Sequence, residues 1–271
     1  MITSVVIPSR NAVDRLLYTL YSLNLQYTQF EDFEVIVVDN ASTDGTAERV
    51  NAFLAHYPLH VHRLRKPVSR AHLLNLGVKK AIGDVIILLG SHLIVPREFV
   101  GLHRQAHQLE DDLVLIGLCQ RRIYSVYYPA FSQAQQNECE VWLENYPQIK
   151  RPHTSRKVIP LLEEKQISAG LPFHIGLPCP ETSRHLAYLE NGGKSCTLFH
   201  TDHVSLPRHA FDRAGFFKAL PRREMEQEMA RRLLREGYHF QVSDKLTLLK
   251  QEQPPMASTT VRRSKRNHRP R

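Results

Sequence analysis

Cysteine is scarce in this chain: there are 4 in 271 residues, and no two form a CxxC pair. The wide spacing of Cys119, Cys139, Cys179 and Cys196 argues against a zinc ribbon or a dithiol redox centre and leaves reduced structural thiols as the expectation. Long apolar runs are also missing. The longest, Val85 to Val95, is broken by Ser91 and His92 and falls short of the roughly 20 residues that span a bilayer. The first residues, MITSVVIPSR, carry no basic leader or small-residue cleavage site, so they are expected as a first strand and the protein as cytoplasmic. No internal repeat is visible. Acids are fewer than bases, giving a formal net charge of +9. Much of that excess lies in TTVRRSKRNHRPR, where Arg262, Arg263, Lys265, Arg266, Arg269 and Arg271 occur with no acid and no apolar period. Residues 256–271 are therefore expected to form a disordered basic tail suited to an anionic surface, such as the periphery of a membrane. Without interleaved aromatics, the tail predicts no specific nucleic-acid recognition.

What is present is the composition of a globular domain, with 42% hydrophobic and 23% charged residues. SVVIPS, FEVIVVD, LHVHRL and DVIILL read as four strands, the second ending in Asp39. They alternate with helical patterns: NAVDRLLYTLYSLNLQ, a helix near residues 46–54 capped by Thr43 or Asp44, and SRAHLLNLGVKKAIG closed by Gly83. Continuous apolar strands alternating with helices predict an α/β fold, a mostly parallel central sheet with helices on both faces. Ligands of such sheets bind beyond the carboxyl ends of the strands, where Ser9, Asp39 and Gly90-Ser91-His92 fall. From Leu113 the alternation weakens. DLVLIGLCQRRIY reads as another strand, followed by a mixed stretch, a charged helix RREMEQEMARRLLREG and a closing strand YHFQVSDKLTLL.

Four stretches in order, VVIPSRN, VIVVDNASTDGT, NLGVKKAIGDVIILL and VSLPRHAFDRAGFF followed by EMEQEMARRLLREGYHF, resemble the family 2 glycosyltransferases. The resemblance spans roughly residues 3 to 250. It implies a GT-A (Rossmann-like) domain over residues 1–255, with a nucleotide-binding part at about 1–112 and an acceptor-side part at about 113–255. By this resemblance Asp39 reads the nucleoside of a donor, usually UDP-linked. Pro8, Ser9, Arg10 and Asn11 form the facing loop, and Arg70 and Asn75 approach the nucleotide. A turn-capping role for Asp39, Ser42 and Asp44, and a solvent-facing Arg70, are the plain alternatives.

The family's catalytic base is a carboxylate in an ED pair, which here falls on Met225-Glu226. Glu226 could take the acceptor hydroxyl's proton, or could belong to a solvated helix laced with pairs such as Glu228 to Arg232. The family's Asp-x-Asp metal motif reads Gly90-Ser91-His92. A related GT-A group, the polypeptide N-acetylgalactosaminyltransferases, uses Asp-x-His, so His92 keeps half of that arrangement. One imidazole is a poor site for Mg2+ and a tolerable one for Mn2+. Ser91 and His92 are therefore expected at the donor diphosphate, together with Lys250 near the place of the family's late histidine. Dependence on Mn2+ or Mg2+ is expected to be weak or absent.

Cys196, His200 and His203 have spacings that could hold zinc but lack a fourth ligand, and His200, Asp202 and His203 are better read on the acceptor side. Trp142, Tyr124, Tyr127 and Tyr128 could stack on a sugar or fill a core. The expected activity is inverting sugar transfer from a nucleotide-sugar donor to a hydroxyl on a glycan, lipid or protein. The competing expectation is a catalytically inactive GT-A protein acting as a nucleotide-sugar-binding or scaffolding module.

Overall fold

The computed structural model describes residues 1–146, 149, 157–163, 166–167 and 176–255. The expected basic tail lies outside them. The first half alternates as its periodicity predicts. β1 (Thr3–Ser9), β2 (Phe33–Asp39), β3 (Leu59–Arg63) and β4 (Val85–Leu89) are separated by α1 (Val13–Leu23), α2 (Thr46–Asn51) and α3 (Arg70–Lys80). β5 (Leu93–Ile94) and α4 (Phe99–Leu109) lead to the long β6 (Leu113–Ile123). Then come the small β7 (Val126–Tyr127), α5 (Gln133–Asn145), β8 (Ile159–Pro160), β9 (Leu177–Pro178) and α6 (Pro180–Glu190). β10 (His203–Pro207), α7 (His209–Ala214), α8 (Arg222–Arg235) and β11 (His239–Gln251) complete the order.

The main sheet runs β3-β2-β1-β4-β10-β6-β11-β5, with β9 pairing on β6. β1 to β4 are parallel, β10 is antiparallel to both β4 and β6, and β6 is parallel to β11. The sheet is thus mostly parallel, and strands from both halves of the chain build it.

Side chains alternate across a strand, and this alternation makes two cores. Val6, Ile36, Val38, Ile86 and Leu88 face one side, where Leu74 and Val78 of α3 and Met225, Met229 and Leu233 of α8 cover them. Val5, Ile7, Val35, Val37, Ile87 and Leu89 face the other, beneath Leu16 and Leu20 of α1 and Phe99 and Val100 of α4. Trp142, Tyr124 and Tyr127 are buried in a third cluster with Phe131 and Leu143, and so fill a core. Among the described residues, no helix is long and apolar enough to cross a membrane.

α3 lies so close to the sheet that a Cβ on Gly77 would stand 2.2 Å from Val6 Cγ1. Alanine there would gain about 1 kcal/mol in helix propensity. Overpacking against a stiff, fully buried valine costs roughly 1–3 kcal/mol. Gly77→Ala is therefore expected to lower the urea midpoint of unfolding despite the better helix former, and an unchanged or raised midpoint would refute this.

Two helix ends differ from expectation. α2 stops at Asn51, three residues early, where Phe53 N turns back to Val50 O (3.1 Å). α3 stops at Lys80, and Gly83 instead donates its N–H to Ser4 Oγ at 2.8 Å.

Candidate active site

The loops after β1 and β2 are joined side to side. Asn11 N donates to Ser42 Oγ (2.9 Å), and Thr43 N donates to Asn11 Oδ1 (2.9 Å). Asp44 receives Val13 N at the start of α1 (3.1 Å) and Thr46 N at the start of α2 (3.1 Å). Asn11 and Asp44 thus fix the two loops to one another. Beside them Asp39 is fully buried at the end of β2. Its Oδ1 accepts from the Ser42 amide and hydroxyl. Among the described residues its Oδ2 is buried without a hydrogen-bond donor, with Arg63 Nε at 3.8 Å. A buried carboxylate oxygen left open is costly unless something that comes and goes satisfies it.

A cavity of about 270 Å³ opens at these strand ends. Pro8, Ser9, Arg10, Arg70, Ser91 and His92 line it, together with Arg15, Asn40 and Gln253. Six of the expected residues therefore come together here. Arg10, Arg15 and Arg70 are three of its lining residues, and among the described residues no Asp or Glu lines it. Among the described residues Ser9 Oγ and Arg15 Nε are buried without partners, while another Arg15 nitrogen, Nη1, donates to Gln253 Oε1 at 2.5 Å. Asn75 is placed elsewhere, since its amide brackets the backbone of Phe217, with Nδ2 donating to the carbonyl (2.8 Å) and Oδ1 accepting from the N–H (2.9 Å).

His92 also lines a second cavity of about 200 Å³, together with Glu181, Thr182, His185, His200, Asp202, His203 and Lys250. Burial lowers the His92 pKa to about 4, so the ring is neutral at pH 7. Lys250 reaches this region because it pairs with Leu93 across β11 and β5. It lines the second cavity, not the first, and its Nζ sits 3.0 Å from Glu181 Oε2.

Between the cavities stands a closed ring of charge. Arg70 Nη2 donates to Asp202 Oδ1 (2.7 Å), and Arg222 Nη2 donates to Asp202 Oδ2 (2.6 Å). Arg222 Nε donates to Glu226 Oε1 (3.1 Å). That oxygen also receives Thr201 N (2.9 Å) and Thr201 Oγ1 (2.7 Å), and Arg70 Nε closes the ring on Thr201 Oγ1 (2.8 Å). Glu226 is buried and oriented at the start of α8, unlike a residue of a solvated helix face. Burial alone would raise the Asp202 pKa, but Arg70 and the other positive groups around it hold it far below the usual carboxylate range. Thr201, Arg222, Arg15 and Gln253 had no local signal in the sequence, because each meets the site through contacts more than a hundred residues distant or through a charged side chain on a helix.

The profile of the family described as "Glycosyl transferase family 2" matches residues 4–164. The chain belongs to glycosyl transferase family 2. Within it, the chain is 35% identical over 170 residues to the "Uncharacterized glycosyltransferase YfnE" of Bacillus subtilis, covering 63% of this chain and 41% of that one. The chain thus spans about two-fifths of that relative's length. Its GT-A fold is shared with TarS of S. aureus, solved in complex with UDP-GlcNAc (TM-score 0.59, 16% identity, 93% of this chain and 59% of that one). It is shared too with the mannosyltransferase PcManGT of Pyrobaculum calidifontis, solved with GDP-Man and Mn2+ (TM-score 0.57, 16% identity, 92% and 56%).

One fold relative was thus solved with a divalent ion, but the residues here do not fit one. Among the described residues no three His, Cys, Asp or Glu side chains converge to hold a metal, the Cys196, His200, His203 set included. At the Gly90-Ser91-His92 turn the available donor is one imidazole, and the neighbouring carboxylate, Asp202, has both oxygens in ion pairs with arginine.

Proposed function

We propose that this family 2 member is a glycosyltransferase that moves a sugar from a nucleotide-linked donor to a hydroxyl acceptor with inversion. UDP is the favoured nucleotide, in line with the UDP-GlcNAc held by its TarS fold relative. The observation that carries the reading is the basic, acid-free cavity at the carboxyl ends of β1, β2 and β4, next to the open buried oxygen of Asp39. A nucleotide diphosphate meets both: the ribose or base donates hydrogen bonds to Asp39 Oδ2, and the phosphates face Arg10, Arg15 and Arg70. The acceptor enters by the second cavity, whose wall with the first is His92. Its hydroxyl oxygen attacks the anomeric carbon as the bond to the diphosphate oxygen breaks, and its proton passes to Glu226. Dependence on Mn2+ or Mg2+ is weak or absent. The protein works in the cytoplasm, with residues 256–271 as its contact to an anionic surface.

One observation favours the second reading, a nucleotide-binding module without turnover: three donors already occupy Glu226 Oε1. A panel of UDP- and GDP-sugars, assayed for transfer and for hydrolysis, separates the two. Turnover supports the enzyme; nucleotide binding with no turnover of any donor leaves the module. Both readings require Asp39. Asp39→Asn keeps its volume and an acceptor for Ser42 but loses the charge, and should weaken UDP binding about tenfold or more by calorimetry, the worth of a hydrogen bond to a charged group. Unchanged affinity would remove Asp39 from the site.

A further inference from the structure

We propose that Asp202 is the keystone of a guanidinium site in which Arg70, in place of a divalent cation, receives the donor's diphosphate. The inference rests on the reading of the first cavity as the nucleotide site and adds how that site handles charge.

Arg70 lines the cavity, and three of its hydrogen bonds point away from it: Nε to Thr201 Oγ1 (2.8 Å), and Nη2 to Thr201 O (3.0 Å) and Asp202 Oδ1 (2.7 Å). Among the described residues Nη1 has no hydrogen-bond partner. An arginine fixed on one edge, with a nitrogen left over, is prepared for phosphate oxygens at little further entropic cost. Asp202 does the fixing and is itself held from the far side by Arg222 at 2.6 Å. Arg70 and Arg222 against Asp202 and Glu226 sum to no formal charge, as an acidic pair holding a divalent ion would, and the positive edge left for phosphate is the Nη1 side of Arg70, beside Arg10 and Arg15.

Gly90 ties this device to the altered motif. A Cβ built on Gly90 would lie 3.2 Å from Asp202 Oδ1 and 2.8 Å from His92 Cε1. The Gly90 N–H meanwhile donates to the Asp202 carbonyl at 2.8 Å. The space an aspartate side chain would need at position 90 is thus taken by a carboxylate arriving from the start of β10. That carboxylate is bound by arginines, so loss of the motif's acid and gain of the arginine clamp are two sides of one packing arrangement. Arg70 thereby becomes the binding residue and Asp202 a positioning residue.

The test measures UDP and UMP affinities by calorimetry in EDTA and in Mn2+, for the parent chain, Asp202→Asn and Arg70→Lys, with GDP and GMP run in parallel. Parent UDP affinity should agree within about twofold between EDTA and Mn2+, and both variants should cut the preference for UDP over UMP about tenfold or more. UMP binding should stay within about threefold of the parent in both variants, which also reports that the nucleoside end is still folded. Binding of UDP that requires Mn2+ overturns the proposal and leaves the nucleotide site standing. A UDP preference untouched by either variant also overturns it. If no nucleotide binds in either buffer, the nucleotide-site reading itself fails.

Discussion

Glu226→Gln is expected to leave UDP affinity as it is and to slow donor turnover roughly 10²- to 10⁴-fold, the usual worth of a positioned general base. The substitution is conservative in geometry. The glutamine oxygen can still accept from Thr201 N, Thr201 Oγ1 and Arg222 Nε, which lie at 2.9, 2.7 and 3.1 Å from Glu226 Oε1. What it loses is a place for a proton. With Oε1 occupied by three donors, transfer must go to Oε2, which has no hydrogen bond among the described residues. If Glu226 only braces the Thr201-Asp202 segment, glutamine does that work nearly as well and the rate changes little. A split of kcat from KM decides between them: loss of a base lowers kcat with KM little changed, whereas loss of a brace shifts KM. Equal turnover in parent and variant would leave the acceptor's proton without Glu226.

How much of this was legible in the sequence depended on the distance over which each feature is specified. β1, β2 and β4 announce themselves because every residue of each is buried, and buried parallel strands carry near-continuous apolar runs such as Val5 to Ile7, Val35 to Val38 and Val85 to Leu89. Asp39 stands out as the charge that ends such a run. The pocket loops follow, since β1 and β2 are in register with Ser9 opposite Asp39. The family motifs singled out Arg70 and Glu226, which meet through Thr201. They could not carry the ring joining them: Arg222 and Glu226 are an ordinary i,i+4 pair on α8, but Asp202 joins Arg70 and Arg222 from outside both helices, which no periodicity describes. Asn75 differs from them: a motif position put it near the nucleotide, while its amide is engaged on both sides by the backbone of Phe217. The aromatic group read as core or sugar platform turned out to be core where Trp142 and Tyr124 are concerned, both at most 1% exposed.

Least legible of all was a set of histidines, and it carries the second large expected effect: a steep loss of stability between about pH 6.5 and 4, well before most carboxylates titrate. His103 and His107 lie one turn apart on α4, and His203 and Ser205 lie two apart on β10, so each pair shares a face, but that the two faces meet shows only once α4 is seen to lie on β10. The four groups form a chain. His107 Nε2 and His103 Nδ1 each meet Ser205 Oγ at 2.7 Å, and His103 Nε2 meets His203 Nε2 at 3.2 Å. Gly117 makes room for it, because a Cβ there would stand 1.8 Å from the His203 ring.

Proton counting fixes the state of this chain. Either His203 donates to His103, His103 to Ser205 and Ser205 to His107, or all three bonds run in reverse. In both cases each bond holds one proton, every ring is neutral, and the two buried atoms left over are His107 Nδ1 and His203 Nδ1, the two without partners. An added proton must sit as a buried charge, and the carboxylate near His203, Asp202, is already committed to two arginines. Burial is accordingly the main cause that lowers all three pKa values, with His203 adding to the effect on His103, His200 on His203 and His209 on His107; for His107 the value is about 4.

The sign follows directly. The unfolded chain takes up protons on these rings near pH 6.5 and the folded chain does not, so stability is full above about pH 6.5 and falls until the folded rings titrate. His107 alone, 4% exposed, makes that loss about 3 kcal/mol by pH 4. The pKa values of His103 and His203 are lowered by burial in the same direction and add to that loss, against a net stability of about 5–15 kcal/mol for an ordinary domain. Urea midpoints measured at pH 7.5, 6 and 5 should therefore drop steeply. His107→Gln keeps a hydrogen-bonding group for Ser205 without a basic nitrogen, and should make that dependence shallower while costing some stability at pH 7.5. A midpoint that holds level from pH 7.5 to 5 would mean that these imidazoles find a counter-charge when protonated, and the neutral chain would have to be abandoned.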